Sequence, residues 1–340
     1  MTAQTPARVA SYFHLEEGGA RCELCPHKCL VLPGKSGRCG VRIYQVDHGL
    51  VTMSYGNTSS IALDPIEKKP LYHFYPGATI LSLGSFGCNL RCRFCQNWQI
   101  SQDTRVVDVI TPQRLVQWAK EYEDTRCIGV AFTYNEPTIW YEFVQDTASL
   151  IRAAGLKTVL VTNGYISPDP WRQLLPYIDA VNIDVKAWSD EFYRELCGGA
   201  LQPVLDNVEI AGECCHVELT YLIIPGCNDD SRSIEEFTRW VRERLGAATP
   251  VHFSRYFPNY RLDIPATPIA TMEKARKIAA KWLEYVYLGN VEIAGASHTY
   301  CPICNALVIE RGRFQAPQIY AVHGYCPDCG QKLPLIGGMS

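Results

Sequence analysis

Short apolar runs alternate with amphipathic segments through the middle of the chain, from residue 79 to residue 293. Each run has the length of a strand, and the segments between the runs have the spacing of helices that bury one face. The predicted strands cover residues 79–83, 128–132, 158–161, 180–185, 217–224 and 251–253. About six alternations of strand and helix predict parallel βα units, and periodicity leaves open whether these wind as a barrel or as an open sheet.

Two of the helices have clear start signals. Ser233 and Glu236 have the spacing of a capping box ahead of an amphipathic segment, and Gly246 follows that segment as a stop. Pro112 marks the start of a second helix. We expect both helices to pack an apolar face against the sheet.

The two ends of the chain do not continue this rhythm. The first 75 residues are rich in glycine and proline turns, and the last 45 contain two CxxC pairs without helical periodicity. We therefore predict three units: an N-terminal metal-binding module (1–75), a βα core (76–295) and a C-terminal metal-binding module (296–340).

Composition and charge narrow the class of protein. With 340 residues, of which 47% are hydrophobic and 20% charged, the chain has the composition of a folded globular protein. The net charge of -3 gives no basic excess, so a nucleic-acid-binding function is disfavoured. The start of the chain lacks the apolar run of a secretory signal, and no stretch approaches 18 uninterrupted apolar residues, so we expect a cytoplasmic protein without a membrane span.

Cysteine is the residue that departs from average usage, with 16 in the chain. In a reducing compartment, clustered thiols are metal or iron–sulfur ligands more often than disulfides. Three groups have ligand-like spacing and are separated by long cysteine-poor stretches. The other five cysteines lack such spacing, and we expect them to pack as small apolar side chains.

The central group is Cys88, Cys92 and Cys95, with the spacing C-x3-C-x2-C on a loop that leaves the first predicted strand. Three thiolates suit a [4Fe-4S] cluster with one iron left open to a small molecule. A structural metal, completed by a fourth ligand from elsewhere in the chain, is the alternative.

This triplet, with the aromatic Phe94 before its last cysteine, resembles the hallmark of the radical S-adenosylmethionine (SAM) enzymes. The resemblance extends over about residues 79–293 and implies an α/β fold, a partial (β/α)6 barrel, here with small Cys-rich metal-binding appendages at both ends. It also implies that the amino and carboxylate groups of SAM bind the open iron. One electron from the reduced cluster then cleaves SAM to methionine and a 5'-deoxyadenosyl radical.

Polar motifs follow the second and third strands of the predicted core. The segment TYNEPT is similar to the family's GGEP segment, which receives the SAM ammonium group, so Asn135 and Glu136 are implied cofactor-binding residues. Tyr134 and Asn135 stand where the family has two glycines. Asn163, in TNG, is a further implied cofactor-binding residue, beside Phe94.

Asp184 and Lys186 follow the fourth strand, in NIDVK. Two residues apart on a strand, their side chains point to the same side. An acidic and a basic group together suit the zwitterionic methionine end of SAM, so both are candidate catalytic and cofactor-binding residues with the three cysteines. The structural alternative is an ion pair at a strand end.

Three further segments narrow the resemblance. EKKPLYHFYPG, FSRYFPNY and VYLGNV resemble the radical SAM component of the AmmeMemoRadiSam system, which is related to the activating enzymes of glycyl-radical enzymes such as pyruvate formate-lyase. The implied pathway partners are Memo-like and AMMECR-like proteins, with a reductant such as flavodoxin or ferredoxin. His252, Arg255 and Tyr256 are candidates for the substrate end of the barrel.

Two groups of four cysteines flank the core. The C-terminal group, with two CxxC pairs, predicts a structural zinc site, and a rubredoxin-like iron that relays electrons is the alternative. The N-terminal group has the spacing C-x2-C-x3-C-x9-C, and structural zinc and an auxiliary [4Fe-4S] cluster both fit it; His27 is an alternative ligand. The C-terminal cysteines are Cys301, Cys304, Cys326 and Cys329, and the N-terminal ones are Cys22, Cys25, Cys29 and Cys39.

The leading hypothesis is therefore a radical SAM enzyme that acts on an unidentified substrate. The alternative is an activating enzyme that abstracts a glycine Cα hydrogen from a partner protein. A non-catalytic iron–sulfur electron carrier is a remote alternative, because a carrier does not need a barrel-length chain with polar strand ends.

Overall fold

The computed structural model describes residues 8–102, 108–312 and 316–337. Its N-terminal part is built from short strands: β1 (Arg8–Val9), β2 (Phe13–Glu16), β3 (Gly19–Cys22), β4 (Leu30–Val31), β5 (Arg42–Gln45), β6 (Gly49–Thr52) and β7 (Asn57–Thr58). They form two antiparallel sheets, ordered β1-β6-β5 and β2-β3-β4, while β7 pairs with a later strand. The cysteine-bearing loops of this region are held between these strands.

The next strands are β8 (Ser60–Pro65), β9 (Thr79–Gly84), β10 (Asp108–Val109), β11 (Cys127–Phe132), β12 (Lys157–Thr162), β13 (Ala180–Asp184), β14 (His216–Ile223), β15 (Val251–Arg255) and β16 (Val286–Gly289). Except for β10, which pairs with β7, they form one sheet in the order β16-β15-β14-β13-β12-β11-β9-β8. All pairs from β9 to β16 are parallel, and β8 is antiparallel to β9.

The strand order decides between barrel and doubly wound sheet. A doubly wound sheet reverses its winding at a switch point, whereas these parallel strands lie side by side in chain order. Right-handed crossovers then place the helices on one side, and the sheet curls as in a barrel. The α/β fold class with a partial barrel is confirmed.

The helices are α1 (Trp98–Ser101), α2 (Pro112–Glu121), α3 (Tyr141–Ala153), α4 (Pro168–Leu174), α5 (Asp190–Phe192), α6 (Gln202–Gly212), α7 (Ser231–Leu245) and α8 (Ile269–Ala279). The predicted start at Pro112 is confirmed. For α7 the predicted capping box was wrong: the N-cap is Asp230, whose Oδ1 accepts from the backbone N–H of Ser233 at 2.9 Å. An Asp three residues before Ser233 satisfies the free N–H groups first, so the helix begins earlier. Its predicted stop at Gly246 is confirmed.

All six predicted strands are present, and two further strands complete the sheet. Strand β8 lies within the predicted N-terminal module yet pairs along its whole length with β9. Its residues are mostly half-buried, as expected at a sheet edge, and do not alternate between buried and exposed positions. The division of the chain at 75 and 295 stays a prediction.

The C-terminal part contains β17 (Thr299–Tyr300), β18 (Leu307–Glu310) and β19 (Gln318–Ile319), an antiparallel sheet over its own apolar cluster. It contacts the segment 66–78, which closes the barrel at the amino ends of the strands. The backbone N–H of Ile336 donates to the carbonyl of His73, and the N–H of Tyr75 donates to the carbonyl of Ile336. No helix in these described ranges is both long and apolar enough to cross a membrane.

A buried polar network forms this floor of the barrel. The fully buried carboxylate of Glu218, in the first half of β14, accepts from the backbone N–H groups of Tyr72 and His73 at 3.0 and 2.7 Å. It also accepts from Nε2 of His216 at 3.0 Å and of His252 at 2.6 Å. Burial alone would raise the pKa of Glu218, but the two imidazoles hold it well below its ordinary value. The ionised carboxylate therefore holds the segment 66–78 against β14 and β15.

Candidate active site at the carboxyl ends of the strands

A cavity of about 320 Å³ opens at the opposite end of the barrel, where the parallel strands finish. Its walls come from the cysteine loop after β9 and from the ends of β11, β12, β13, β14 and β15. All nine residues that the sequence assigns to the core site line it: Cys88, Cys92, Phe94, Cys95, Asn135, Glu136, Asn163, Asp184 and Lys186. The structure thus brings together groups that are spread over about 100 positions of the chain.

The cysteine loop is held on both sides. The backbone N–H groups of Arg91 and Arg93 donate to the carbonyls of Cys197 and Leu196 at 2.7 and 2.8 Å, which fixes the loop on the turn after α5. Gly87 has φ +81°, and a Cβ there would lie 2.5 Å from the carbonyl oxygen of Cys39. Glycine is required at this position on both counts.

The thiols themselves have polar neighbours. Sγ of Cys88 accepts from the backbone N–H of Leu90 at 3.4 Å and from Nδ2 of Asn163 at 3.6 Å, and Sγ of Cys95 lies 3.2 Å from Oγ of Ser101. Burial raises the pKa of Cys88 well above its ordinary value. A cationic iron centre is the kind of group that would hold such a buried thiol as thiolate, so the donor set fits an iron–sulfur cluster.

Glu136 is buried, and its carboxylate is already fully engaged. It accepts from Oγ1 of Thr162 at 2.6 Å, from the backbone N–H of Asn163 at 2.8 Å and from the N–H of Thr138 at 2.9 Å. Burial raises the pKa of Glu136 above its ordinary value, although these three hydrogen bonds act in the opposite direction. Glu136 therefore joins the ends of β11 and β12 and positions Asn163.

Tyr134 and Asn135, which stand where the GGEP segment has two glycines, make different contacts. Asn135 accepts from the N–H of Ser85 at 2.9 Å and donates to the carbonyl of Gly87 at 3.1 Å, so its side chain supports the start of the cysteine loop. Tyr134 has φ +71°, the left-handed conformation that glycine adopts easily. Its hydroxyl donates to Asp64 at 2.6 Å, in the edge strand β8.

Asp184 and Lys186 form an ion pair at the cavity wall, with Nζ and Oδ2 2.6 Å apart. Burial alone would lower the pKa of Lys186, but Asp184 and then the nearby Cys92 raise it above its ordinary value. The backbone N–H of Lys186 donates to the buried hydroxyl of Tyr193 at 2.9 Å. The pair thus presents a fixed carboxylate and a fixed ammonium group to the cavity.

Sequence reasoning missed several lining residues. Lys69 is 2% exposed, donates to Asp64 at 2.8 Å and lies 4.7 Å from the ring centre of Tyr134. Thr220 and Ser254 face the cavity from β14 and β15. The KK pair in EKKPLYHFYPG was the available signal, but only the tertiary structure places Lys69 at the cavity.

The predicted substrate-end trio does not line this cavity. His252, the second residue of β15, is buried and hydrogen-bonded to Glu218 at the floor of the barrel. Its assignment to the substrate end was therefore wrong. Arg255 donates to the carbonyl of Thr267 at 2.7 Å, and the buried Tyr256 is hydrogen-bonded within the same loop. Strand bounds, which periodicity gives only loosely, decide which end of a strand a residue occupies.

The N-terminal cysteines line a second, smaller cavity together with Leu24, Arg42 and Ile139. Nε2 of His27 is 2.8 Å from the carbonyl oxygen of Asn89, so this ring contacts the central cysteine loop. The side chain of Arg91 donates to the carbonyl of Arg38 at 2.5 Å. This group of cysteines therefore adjoins the candidate active site.

The C-terminal cysteines are gathered closely. Their four sulfur atoms lie within 4.8 Å of one another, with 3.6 Å between Cys301 and Cys329 and 3.5 Å between Cys304 and Cys326. Asn305 and Gly330, which follow the two knuckles, have φ +59° and +72°. Such spacing is that of four thiolates around a single ion.

Comparisons with known proteins agree with this geometry. The sequence profile of the Radical SAM superfamily matches residues 83–241. An uncharacterised protein of Methanocaldococcus jannaschii is 42% identical over 333 residues, 96% of this chain and 98% of that protein. The pyruvate formate-lyase 1-activating enzyme of Escherichia coli strain K12 is 30% identical over 162 residues, 45% of this chain and 65% of that enzyme.

Among solved structures, Streptococcus suis SuiB bound to the precursor peptide SuiA is similar, with a TM-score of 0.52 at 13% identity. The match covers 67% of this chain and 52% of SuiB, so the likeness concerns the barrel fold alone.

Proposed function

We propose that the strand-end cavity of this radical SAM enzyme binds SAM beside a [4Fe-4S] cluster held by Cys88, Cys92 and Cys95. When bound, that cluster supplies the electron that splits SAM into methionine and a 5'-deoxyadenosyl radical. The observation that carries the proposal is the single cavity lined by three cysteines and by the polar ends of the strands. The radical then acts on a substrate that is still to be identified.

Asp184 and Lys186 hold the methionine end of SAM in this proposal. Their opposite charges lie 2.6 Å apart on the cavity wall, so each can exchange its partner for the ammonium or the carboxylate of an amino acid. Half-burial of both groups strengthens such contacts relative to water. The hydroxyl of Tyr193 accepts from the backbone N–H of Lys186 and so fixes the backbone at this residue.

Asn135, Glu136, Asn163 and Phe94 form the rest of the proposed cofactor site. Asn163 donates to Cys88 and Glu136 holds Asn163, so these residues set the orientation of one ligating sulfur. Phe94 is buried against Phe192 and packs the last part of the loop. Tyr134 narrows the cavity where glycine would leave it open.

An activating enzyme is the second candidate function. The Escherichia coli relative named as pyruvate formate-lyase 1-activating enzyme, which is 30% identical over 45% of this chain, supports it. In this function the radical takes a hydrogen from a glycine Cα of a partner protein. The segments EKKPLYHFYPG, FSRYFPNY and VYLGNV favour instead a place in the AmmeMemoRadiSam system, with Memo-like and AMMECR-like partners.

We also propose a carrier of the flavodoxin or ferredoxin class as reductant and zinc as the C-terminal ion. The cysteine usage favours a reducing cytoplasm for such a protein.

An anaerobic assay tests the main proposal. Reconstituted protein receives SAM and dithionite, and 5'-deoxyadenosine is measured for wild type and for Cys88→Ala, Cys92→Ala and Cys95→Ala. We expect wild-type cleavage and none in the three variants, with Cys214→Ala, an exposed cysteine outside the three groups, as control. Reductive cleavage retained in all three variants would contradict the site.

A labelled substrate separates the two functions. Deuterated cell extract is divided into small molecules and macromolecules, and deuterium in 5'-deoxyadenosine is followed with each fraction. Transfer only from macromolecules favours the activating enzyme, and transfer only from small molecules contradicts it.

A further inference from the structure

We propose that Cys22, Cys25, Cys29 and Cys39 hold a second [4Fe-4S] cluster, which passes electrons to the SAM-binding cluster. The presence of the cluster does not depend on the proposed function, whereas its role as an electron relay rests on it.

The spacing of the sulfur atoms separates a cluster from zinc. Four thiolates around one zinc ion, at about 2.3 Å each, stand about 3.8 Å apart. The C-terminal sulfur atoms have this spacing, at 3.5 and 3.6 Å. Within the described ranges, no three sulfur atoms of the N-terminal group lie within 4.8 Å of one another, although all four cysteines line one cavity.

The central triplet provides an internal standard for this difference. Its three sulfur atoms, which suit a [4Fe-4S] cluster, also do not gather within 4.8 Å in the described structure. Each thiolate of such a cluster binds a different iron, so the sulfur atoms must stand farther apart than around a single ion. Among the described residues, the N-terminal group is like the triplet, and unlike the C-terminal site, in that its sulfur atoms do not gather around the position of a single ion.

Arg42 gives an independent argument. This side chain is 1% exposed, lines the N-terminal cavity and donates through NH1 to Sγ of Cys22 at 3.7 Å. Its buried Nε–H has no acceptor among the described residues. A zinc site offers only its thiolate sulfur atoms as acceptors, whereas a [4Fe-4S] cluster adds sulfide ions that also accept hydrogen bonds. A buried donor at the cavity therefore suits the cluster.

The position of the group explains the use of such a cluster. The carbonyl of Cys39 packs against Gly87, the residue before Cys88, and the side chain of Cys39 packs with Phe86 and Ile139. A second connection runs from His27 to the carbonyl of Asn89 at 2.8 Å. The two cysteine groups are thus in van der Waals and hydrogen-bond contact through buried protein, the arrangement that short-range electron transfer requires.

The electron balance is simple. One electron enters the N-terminal cluster from a one-electron carrier of the flavodoxin or ferredoxin class, which is oxidised. The same electron leaves to the SAM-binding cluster, which is reduced. No bond or proton is exchanged at the N-terminal site.

Spectroscopy of a variant without the SAM-binding cluster tests the assignment. We expect the triple variant Cys88→Ala, Cys92→Ala, Cys95→Ala to keep iron and acid-labile sulfide for one [4Fe-4S] cluster, with a cluster EPR signal after reduction. Adding Cys25→Ser and Cys29→Ser should remove both, and adding Cys214→Ser should not. Zinc without sulfide in the triple variant would overturn the proposal, as would iron without sulfide, which marks a mononuclear site.

Two electron donors test the relay. In Cys25→Ser, Cys29→Ser, we expect SAM cleavage to continue with dithionite, a small reductant, and to fall at least tenfold with reduced flavodoxin. Cys214→Ser is the control and should cleave SAM with both donors as wild type does. Undiminished cleavage with flavodoxin would overturn the relay, as would loss with both donors while the spectrum of the SAM-binding cluster is intact. If wild type itself fails to cleave SAM with dithionite, the proposed function fails, while the cluster assignment is decided by spectroscopy.

Arg42→Lys gives a measurement that does not depend on removing a cysteine. It keeps the positive charge beside Glu142 but removes the Nε donor. When the EPR signal of the triple variant is followed in a redox titration, the reduction potential of the N-terminal cluster should shift. Hydrogen bonds to cluster sulfur tune that potential. An unchanged potential would contradict the placement of Arg42 at the cluster.

Discussion

The two groups of four cysteines have the same ligand count but lie at opposite ends of the barrel. The N-terminal group adjoins the loop of Cys88, at the carboxyl ends of the strands, and none of its cysteines is exposed. The C-terminal group lies beyond the floor, and Cys304 and Cys329 are exposed. Ligand count therefore does not determine the chemistry of such a site; sulfur spacing and the neighbouring structure distinguish the two.

The two Cys-rich parts of the chain are also anchored by different contacts. A buried ion pair holds the N-terminal one to α3, with Arg42 NH2 and Glu142 Oε1 2.5 Å apart. Arg311 holds the C-terminal one: it donates to the carbonyl of Tyr72 and to Oγ1 of Thr299, at 2.7 Å each. Each anchor places a cation against a neighbouring element, one near the cavity and one at the floor.

The largest expected effect is on the folding free energy of the C-terminal part of the chain, when its metal ion is lost. A structural zinc contributes on the order of 10 kcal/mol to a small domain, because the unfolded chain has no preformed site. Cys326→Ser with Cys329→Ser should expose residues 296–340 to proteolysis and leave the barrel protected, with SAM cleavage by dithionite at least partly preserved. Mononuclear iron and no zinc in a variant lacking Cys88, Cys92 and Cys95 would refute the zinc assignment.

Breaking the N-terminal anchor is expected to cost less. Glu142→Gln removes the carboxylate partner of the buried Arg42, and breaking a buried ion pair in this way typically costs about 3–5 kcal/mol. The free energy of unfolding in urea measures this. Arg8→Ala is the matched control, since its pair with Asp146 is largely exposed and contributes under about 1 kcal/mol. Equal effects of the two changes would show that burial of the Arg42 pair is unimportant.

The ion pair in the cavity should affect binding and not the cluster. Asp184→Asn or Lys186→Met removes one charged contact to SAM, worth about 1.5–3 kcal/mol, so the dissociation constant should rise roughly tenfold to a hundredfold. The absorbance of the reconstituted cluster should stay unchanged. Normal SAM binding by both variants would remove the pair from the proposed site.

The sequence was informative where one local segment determines the outcome. The triplet with Phe94 follows β9 directly, and Asn163 and Asp184 come at the ends of successive strands, so chain order predicts their meeting at one end of the barrel. Contacts made by distant segments were not predictable. The ring of His73 meets the carbonyl of Pro334, 261 positions away, and no local pattern specifies such a closure.

The smallest expected effect concerns pH and the floor of the barrel. Burial lowers the pKa of His73 from 6.5 to about 3. The unfolded chain therefore takes up a proton that the folded chain does not, so stability is complete above pH 6.5 and falls as the pH drops towards 3. The loss is about 1.4 kcal/mol per pH unit at most. Urea unfolding at pH 7 and pH 5.5 measures it. His73→Gln should unfold with a smaller pH dependence, whereas Cys214→Ser should keep the wild-type slope; an unchanged slope in His73→Gln would place the titrating group elsewhere.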